Sequence, residues 1–242
     1  MQTQVRTARI TGLFYLGLAV SGVLGFLIIR PRLLDSDDPE ATLANLVEHE
    51  RLARLAIALE LGIVVTQALA AVWFYRLFRS VDTFAAGALA AFGLVNAVVI
   101  LCSAAFLATA LEVALDPLDD ASATSQLLTL VSGNLWGVGA LFFDLWLIPM
   151  GWLVLRSGWM PRPLGWILIV GGVGYVVSAF VDYLAPGVPV LTEALTIPAS
   201  VGEFWMIGYL LIRGVNRRAL DDIAPDALPE PSGHPSPASQ TG

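Results

Sequence analysis

Six long apolar stretches constrain the fold of this chain more than any other feature of its sequence. They cover residues 10–29, 55–75, 84–111, 127–155, 164–184 and 196–212. The hydrocarbon core of a bilayer is about 30 Å thick, and about 20 helical residues cross it, because a helix satisfies its own backbone hydrogen bonds in lipid. The sequence therefore predicts an all-α, polytopic membrane protein with a bundle of six transmembrane helices.

The composition agrees with a membrane environment. Hydrophobic residues make up 57% of the 242 residues and charged residues 14%, whereas soluble domains have about half and about a quarter. The lipid bilayer is therefore the expected partner, and nucleic acid is not, since the sequence has no basic patch. The single cysteine, Cys102, lies in an apolar stretch, which excludes an internal disulfide and a cysteine metal cluster.

The distribution of arginine predicts the orientation. The chain has no lysine, and nine of its thirteen arginines fall on one side of the predicted bundle. These are Arg6, Arg9, Arg76, Arg79, Arg156, Arg162, Arg213, Arg217 and Arg218. The other four all lie in the first connection, 30–54. Because cytoplasmic loops carry the excess of arginine, we expect both termini in the cytoplasm of a bacterium and the protein in its inner membrane.

Two further segments lie outside the predicted spans. In "DDPEATLANLVEHERLAR", Asp38 suits a helix N-cap and Pro39 the first helical position, so the segment predicts a short interfacial helix on the outer surface. Residues 219–242 are rich in proline, serine and acidic residues, which is typical of disorder. We therefore divide the chain into a transmembrane domain, 1–218, and a disordered cytoplasmic tail, 219–242.

Small residues recur at helical spacing within three of the spans. The sets are Gly17, Ser21 and Gly25; Gly133 and Gly137; and Gly171, Gly174 and Ser178. Small residues allow two helix backbones to approach closely in lipid, so the sets predict helix interfaces. The alternative for any one pair is that membrane helices are simply rich in glycine.

Four acidic residues fall within the spans, where a charged side chain costs about 2.5–3.5 kcal/mol on insertion scales. They are Glu60, Asp144, Asp182 and Glu203. We expect Arg54 to be their cation, and predict an outward-facing polar pocket made by Arg54, Glu60, Asp182 and Glu203, with Asp144 at its floor. The alternative is that the acids only tie helices together, or that Asp182 meets water at the headgroups.

The sequence lacks the common catalytic motifs. His49 lies in the first connection and His234 in the tail, and neither belongs to an HExxH arrangement. The chain has no G-x-S-x-G elbow and no P-loop. We therefore predict no catalytic residues, no metal site and no cofactor, and we regard an enzyme acting on lipid or isoprenoid substrates as the least favoured function.

The segment "FFDLWLIPMGWLVLRSGWMPRPLGWILIVGGVGYVVSAF" resembles the signature region of a bacterial family of integral membrane proteins known as domain of unknown function 4386. The similarity includes "ARITGLFYLGLAVSG", "ERLARLAIALELG" and "VGEFWMIGYLLIRGVN", and so spans about residues 8–216. It implies six spans and no particular activity. The chain departs from the family pattern at Asp144 and Trp146, where "FFGLH" is typical, and at Gly93, where an arginine is typical.

These observations favour a binding or transport module that uses the outward-facing pocket for a small molecule, a lipid or an ion. A structural or accessory subunit of a membrane complex is the alternative, since packed helices and interhelical acids would also serve a partner protein.

Overall fold

The structure is a computed structural model that describes residues 2–117, 120–185 and 187–216. Within these ranges the regular elements are helical, and six helices are long and apolar enough to span a membrane. Their bounds are Thr3–Leu33, Glu50–Phe78, Thr83–Leu115, Ala121–Ser157, Arg162–Leu184 and Val190–Ile212. Each predicted stretch lies inside one of these helices. The all-α, six-span architecture is confirmed, and the chain is a multi-pass membrane protein.

The helices follow one another in the order α1 to α8, with a π-helical segment in the first span. The bounds are α1 Gln2–Gly22, the π-helical segment Val23–Ile29, α2 Arg30–Leu33, α3 Pro39–Glu48, α4 Glu50–Phe78, α5 Thr83–Leu115, α6 Ala121–Ser157, α7 Arg162–Leu184 and α8 Pro189–Ile212. The predicted short helix is α3, and Asp38 caps it by accepting a hydrogen bond of 2.9 Å from the Ala41 backbone N–H. The predicted disordered tail, 219–242, lies outside the described residues.

The six spanning helices form a ring. α1 packs against α4, each helix from α4 to α8 packs against the next, and the ring closes where α8 meets α1. Aromatic side chains fill its centre, where the ring of Tyr15 meets the rings of Phe74 and Trp146 edge to face at 5.6 and 5.3 Å between centroids. All three side chains are buried. Edge-to-face contacts of this kind add to the stability that apolar burial provides.

Two of the three predicted sets of small residues lie at close helix interfaces. A Cβ placed on Gly17 would lie 2.9 Å from Thr66 of α4. One placed on Gly171 would lie 2.5 Å from the backbone of Ala199 in α8, and one on Gly174 would lie 2.5 Å from the carbonyl oxygen of Leu195. These glycines therefore permit the contacts of α1 with α4 and of α7 with α8.

The prediction that Gly133 and Gly137 lie at a close helix interface is wrong. A Cβ on Gly137 would have no atom within 4 Å, and one on Gly133 would reach only Arg30 Nη2, at 3.8 Å. The close approach of α6 to α7 uses Gly151 instead, where a Cβ would lie 2.5 Å from the carbonyl oxygen of Gly165. The spacing of small residues along one helix shows that they share a face of that helix. It does not show whether this face packs against a neighbouring helix.

Candidate functional site

A cavity of about 330 Å³ lies within the ring, between the first span and α8. All six spanning helices contribute residues to its wall, and most of these residues lie near the middle of their helices. Six of the side chains are aromatic. They are Tyr15, Phe26, Trp136, Phe143, Tyr175 and Phe204.

Glu203 is the acidic residue of the cavity wall. The hydroxyl group of Tyr15 donates a hydrogen bond of 2.6 Å to Glu203 Oε1, and the Glu203 side chain is partly exposed to the space that it lines. No basic group lies within ion-pair distance of Glu203 in the described part of the chain. Asp144 is buried behind the wall, and its carboxyl group is close enough to that of Glu203 for electrostatic interaction. An ionised carboxylate at this depth in a bilayer is costly in free energy unless a positively charged group balances it.

A pair of amide side chains forms a second polar part of the wall. Asn96 Nδ2 on α5 donates a hydrogen bond of 2.8 Å to Gln67 Oε1 on α4. Both residues are buried. Gln67 Nε2 and Asn96 Oδ1 have no hydrogen-bond partner among the described residues, so the pair retains one free donor and one free acceptor.

A buried ion pair lies beside the cavity. Arg30 Nη1 is 2.7 Å from Glu60 Oε1, which also accepts a hydrogen bond of 3.1 Å from Trp136 Nε1. Arg30 Nη2 donates to Ser132 Oγ at 2.8 Å, and Ser132 is in turn bonded to Ser103 at 2.8 Å. The network joins the first span to α4, α5 and α6. The positive charge of Arg30 and the negative charge of Glu60 balance each other inside the bundle.

The cavity opens sideways at the junction of the first span with α8. These helices touch in the half of the bundle that holds the termini, where a Cβ on Gly12 would lie 2.9 Å from Leu210. The hydrogen bond between Tyr15 and Glu203 lies at the end of this contact that is farther from the termini. Phe204 directly follows Glu203 in α8, and Leu27 lies farther from the termini than Tyr15 on the first span; both line the edge of the cavity, 63% and 64% exposed. Both side chains would face lipid, so the opening would lead into the bilayer.

Comparison with known protein families identifies the family of this chain. The family model described as domain of unknown function (DUF4386) matches residues 10–214. The chain belongs to this family. No curated protein and no solved structure matches it. The expected resemblance is therefore confirmed over most of the chain, and DUF4386 membership by itself assigns no ligand or reaction.

Gly93 and Trp146, two positions singled out in the sequence, are in contact in this DUF4386 protein. A Cβ on Gly93 of α5 would lie 3.0 Å from Trp146 Cε3 of α6. Trp146 is fully buried in the aromatic centre. The absence of a side chain at Gly93 therefore leaves the space that the indole ring occupies.

Arg54 does not belong to the cavity, and the prediction that it is the cation for the buried acids is wrong. Its side chain is 62% exposed and pairs with Glu50 at 2.7 Å. Arg54 and Glu60 are six residues apart on α4, and at 3.6 residues per turn they project from different faces of the helix. Arg30, from the neighbouring helix, is the cation of Glu60.

Asp182 is also outside the cavity, because it is exposed in the last turn of α7. Of the five predicted residues, only Glu203 lines the cavity. Asp144 lies behind it, and Glu60 is connected to it through the indole N–H of Trp136. The described residues contain no group of three or more His, Cys, Asp or Glu side chains that could hold a metal ion.

Sequence reasoning missed the residues that complete the site. Arg30 was counted with the loop arginines although it directly follows an apolar stretch that ends in Ile28 and Ile29. Asn96 is a polar residue in an otherwise apolar part of α5, which is a signal of the same kind as a buried acid. Tyr15 gave no signal, because tyrosine is common in membrane helices.

Proposed function

We propose that this DUF4386 protein is a binding or transport module for an amphipathic small molecule, which enters its cavity from the bilayer. The observation that carries the proposal is the position of Glu203, a carboxylate without a basic partner among the described residues, in the wall of a cavity that opens toward lipid.

The form of the cavity supports this function. Ligand pockets occupy about 300–1,000 Å³ and combine an apolar lining with a few polar groups. The volume of about 330 Å³ lies at the lower end of this range and suits a single-chain molecule. Glu203 and the Gln67–Asn96 pair supply the polar groups. The exposed apolar rim at Leu27 and Phe204 gives an apolar chain a route from the bilayer.

We also propose that the protein lies in the bacterial inner membrane with both termini in the cytoplasm. By the order of the spans in the sequence, nine of the thirteen arginines fall on the side predicted for the termini, and the positive-inside rule assigns that side to the cytoplasm. The first-span residues of the cavity run from Tyr15 to Leu27, away from the termini, so this end of the lateral opening faces the outer leaflet.

Photolabelling with a diazirine-bearing octanol tests the proposed cavity site. The purified protein in phosphatidylcholine nanodiscs is illuminated with this neutral probe, and labelled residues are mapped by mass spectrometry. Gly22 lines the cavity, and a Cβ there would have no atom within 4 Å, so Gly22→Phe would fill part of the space. Gly137→Phe is the matched control, because a Cβ on Gly137 also has no near atom and the residue does not line the cavity.

We expect saturable labelling of cavity residues that Gly22→Phe abolishes and Gly137→Phe leaves unchanged. Labelling confined to the lipid-facing surface, or equal labelling of cavity residues in the two variants, would refute the cavity as a binding site.

A further inference from the structure

Glu203 in the cavity wall and Glu60 beside it have different electrostatic surroundings. Glu60 is neutralised by Arg30, and its Oε1 atom accepts a second hydrogen bond from Trp136. Glu203 accepts a hydrogen bond from Tyr15, which is neutral, and no arginine or histidine among the described residues lines the cavity. The acidic group at this site that still lacks a basic partner among the described residues is therefore Glu203.

The aromatic rings of the wall reinforce this preference. The face of an aromatic ring attracts a cation that lies within about 6 Å of its centroid, and more strongly when both are desolvated. Tyr15 and Tyr175 line the cavity together with Glu203, and Phe143 and Phe204 come from α6 and α8. Aromatic rings form the environment that proteins use to bind quaternary ammonium groups, and here a carboxyl group lies among them.

We propose that the ligand is a lipophilic organic cation, an alkyl or aryl ammonium compound. Its ammonium group lies beside Glu203 among the aromatic rings, and its apolar chain extends toward the opening at Leu27 and Phe204. This inference rests on the proposed function and specifies the chemical class of its ligand.

Anionic ligands and phospholipids fit the site less well. A phosphate or carboxylate group in the cavity would lie near Glu203 and Asp144, and no basic side chain of the described residues lines the cavity to balance it. A phospholipid carries a phosphate beside any ammonium group and meets the same difficulty. A neutral amphiphile would leave Glu203 without a counterion whenever its carboxyl group is ionised, and an unpaired charge is costly inside the bilayer. A cation resolves this cost, because it and the carboxylate neutralise each other.

Competition with the photolabel tests the charge preference. Octyltrimethylammonium and its uncharged carbon isostere, in which carbon replaces the nitrogen, each compete with the diazirine-bearing octanol in phosphatidylcholine nanodiscs. The ratio of their inhibitory concentrations is measured in the wild type and in Glu203→Gln. Partition into lipid is the same for both proteins and cancels in the comparison. The glutamine oxygen can still accept the hydrogen bond from Tyr15.

We expect the cation to be favoured over the isostere by about tenfold more in the wild type than in Glu203→Gln. Glu203→Asp, which retains the charge, should keep part of this advantage. Glu193→Gln is the matched control on the same helix, since Glu193 is exposed and does not line the cavity. It should keep the full advantage.

An equal ratio in the wild type and Glu203→Gln, with labelling of the cavity intact, would overturn the inference about the cation and leave the proposed function standing. If the octanol fails to label the cavity in any variant, the proposed function itself is refuted. If Glu203→Gln does not fold, the ratio of inhibitory concentrations is compared between the wild type and Glu203→Asp. Because aspartate places the carboxyl group farther from the cavity, a ratio equal to that of the wild type would count against binding of the ammonium group beside Glu203.

Discussion

Arg30 Nη1 lies 2.7 Å from Glu60 Oε1 inside the bundle, and both side chains are more than 90% buried. The same distance separates Arg54 Nε from Glu50 Oε1, but those side chains are 62% and 43% exposed. The two pairs have similar geometry and different surroundings. They allow the contribution of burial to be measured within one protein.

We predict that Arg30→Met or Glu60→Met alone lowers the free energy of unfolding by about 3–5 kcal/mol, because each leaves one buried charge without its partner. The double variant should be more stable than either single variant, since it removes both charges. The measurement is reversible unfolding in detergent.

Arg54→Met, the matched exposed variant, should change stability by less than about 1 kcal/mol. Additive effects of Arg30→Met and Glu60→Met would contradict the assignment of these residues as a pair.

The glycine contacts between α7 and α8 give a second prediction. A Cβ on Gly171 would lie 2.5 Å from the backbone of Ala199, so Gly171→Ala requires the helices to separate. We expect it to cost about 1–3 kcal/mol, as overpacking does elsewhere. Gly137→Ala should be neutral or slightly stabilising, because the added Cβ meets no atom within 4 Å and alanine favours the helix. Equal melting temperatures for the two variants would show that α7 and α8 do not approach as closely as described.

Asp82, in the loop between α4 and α5, should make the stability of the protein depend on pH. Asp82 is the N-cap of α5, and the Ala85 backbone N–H donates a hydrogen bond of 3.1 Å to its carboxylate. This hydrogen bond lowers the pKa of Asp82, and Arg156 also lowers it. The charged form is therefore favoured in the folded state, and its stabilisation is present above the ordinary pKa of about 3.9 and is lost as the pH falls through the lowered value.

Comparison with Asp82→Asn isolates this effect, because asparagine caps a helix without titrating. We expect the wild type to melt at a higher temperature than Asp82→Asn at about pH 6 and to lose that advantage below about pH 4. A difference in melting temperature that is constant over this range would contradict the role of the charge.

Cysteine accessibility tests the proposed orientation. Cys102 is exposed on α5 near the middle of its span, so lipid should shield it from charged maleimides applied to either side. In a Cys102→Ala background, Ser36→Cys in the first connection should react in intact cells. Ser80→Cys, between α4 and α5, should react only after the membrane is permeabilised. The reverse pattern would place the termini outside the cell.

The sequence predicts the fold well because hydrophobicity over a span of about 20 residues is a local property. The capping of α3 by Asp38 is predicted for the same reason, since the cap and the helix are adjacent in the chain. The cost of ionisable groups in lipid also draws attention to Glu60, Asp144 and Glu203.

Partner choice within the bundle is not a local property. Arg54 is close to Glu60 in sequence, but Arg30 pairs with it because the first span packs against α4. Asp182 continues the small-residue stripe of α7, yet it is exposed in the last turn of that helix. Such contacts depend on the rotation and order of the helices, which hydrophobic stripes do not determine.

The most direct test of the account is anomalous diffraction from crystals grown with octyltrimethylammonium that carries bromine at the end of its chain. The account predicts a bromine peak at the opening between Leu27 and Phe204, and density for the ammonium group beside Glu203. Bromine found only on other lipid-facing surfaces, with the cavity empty, would contradict it.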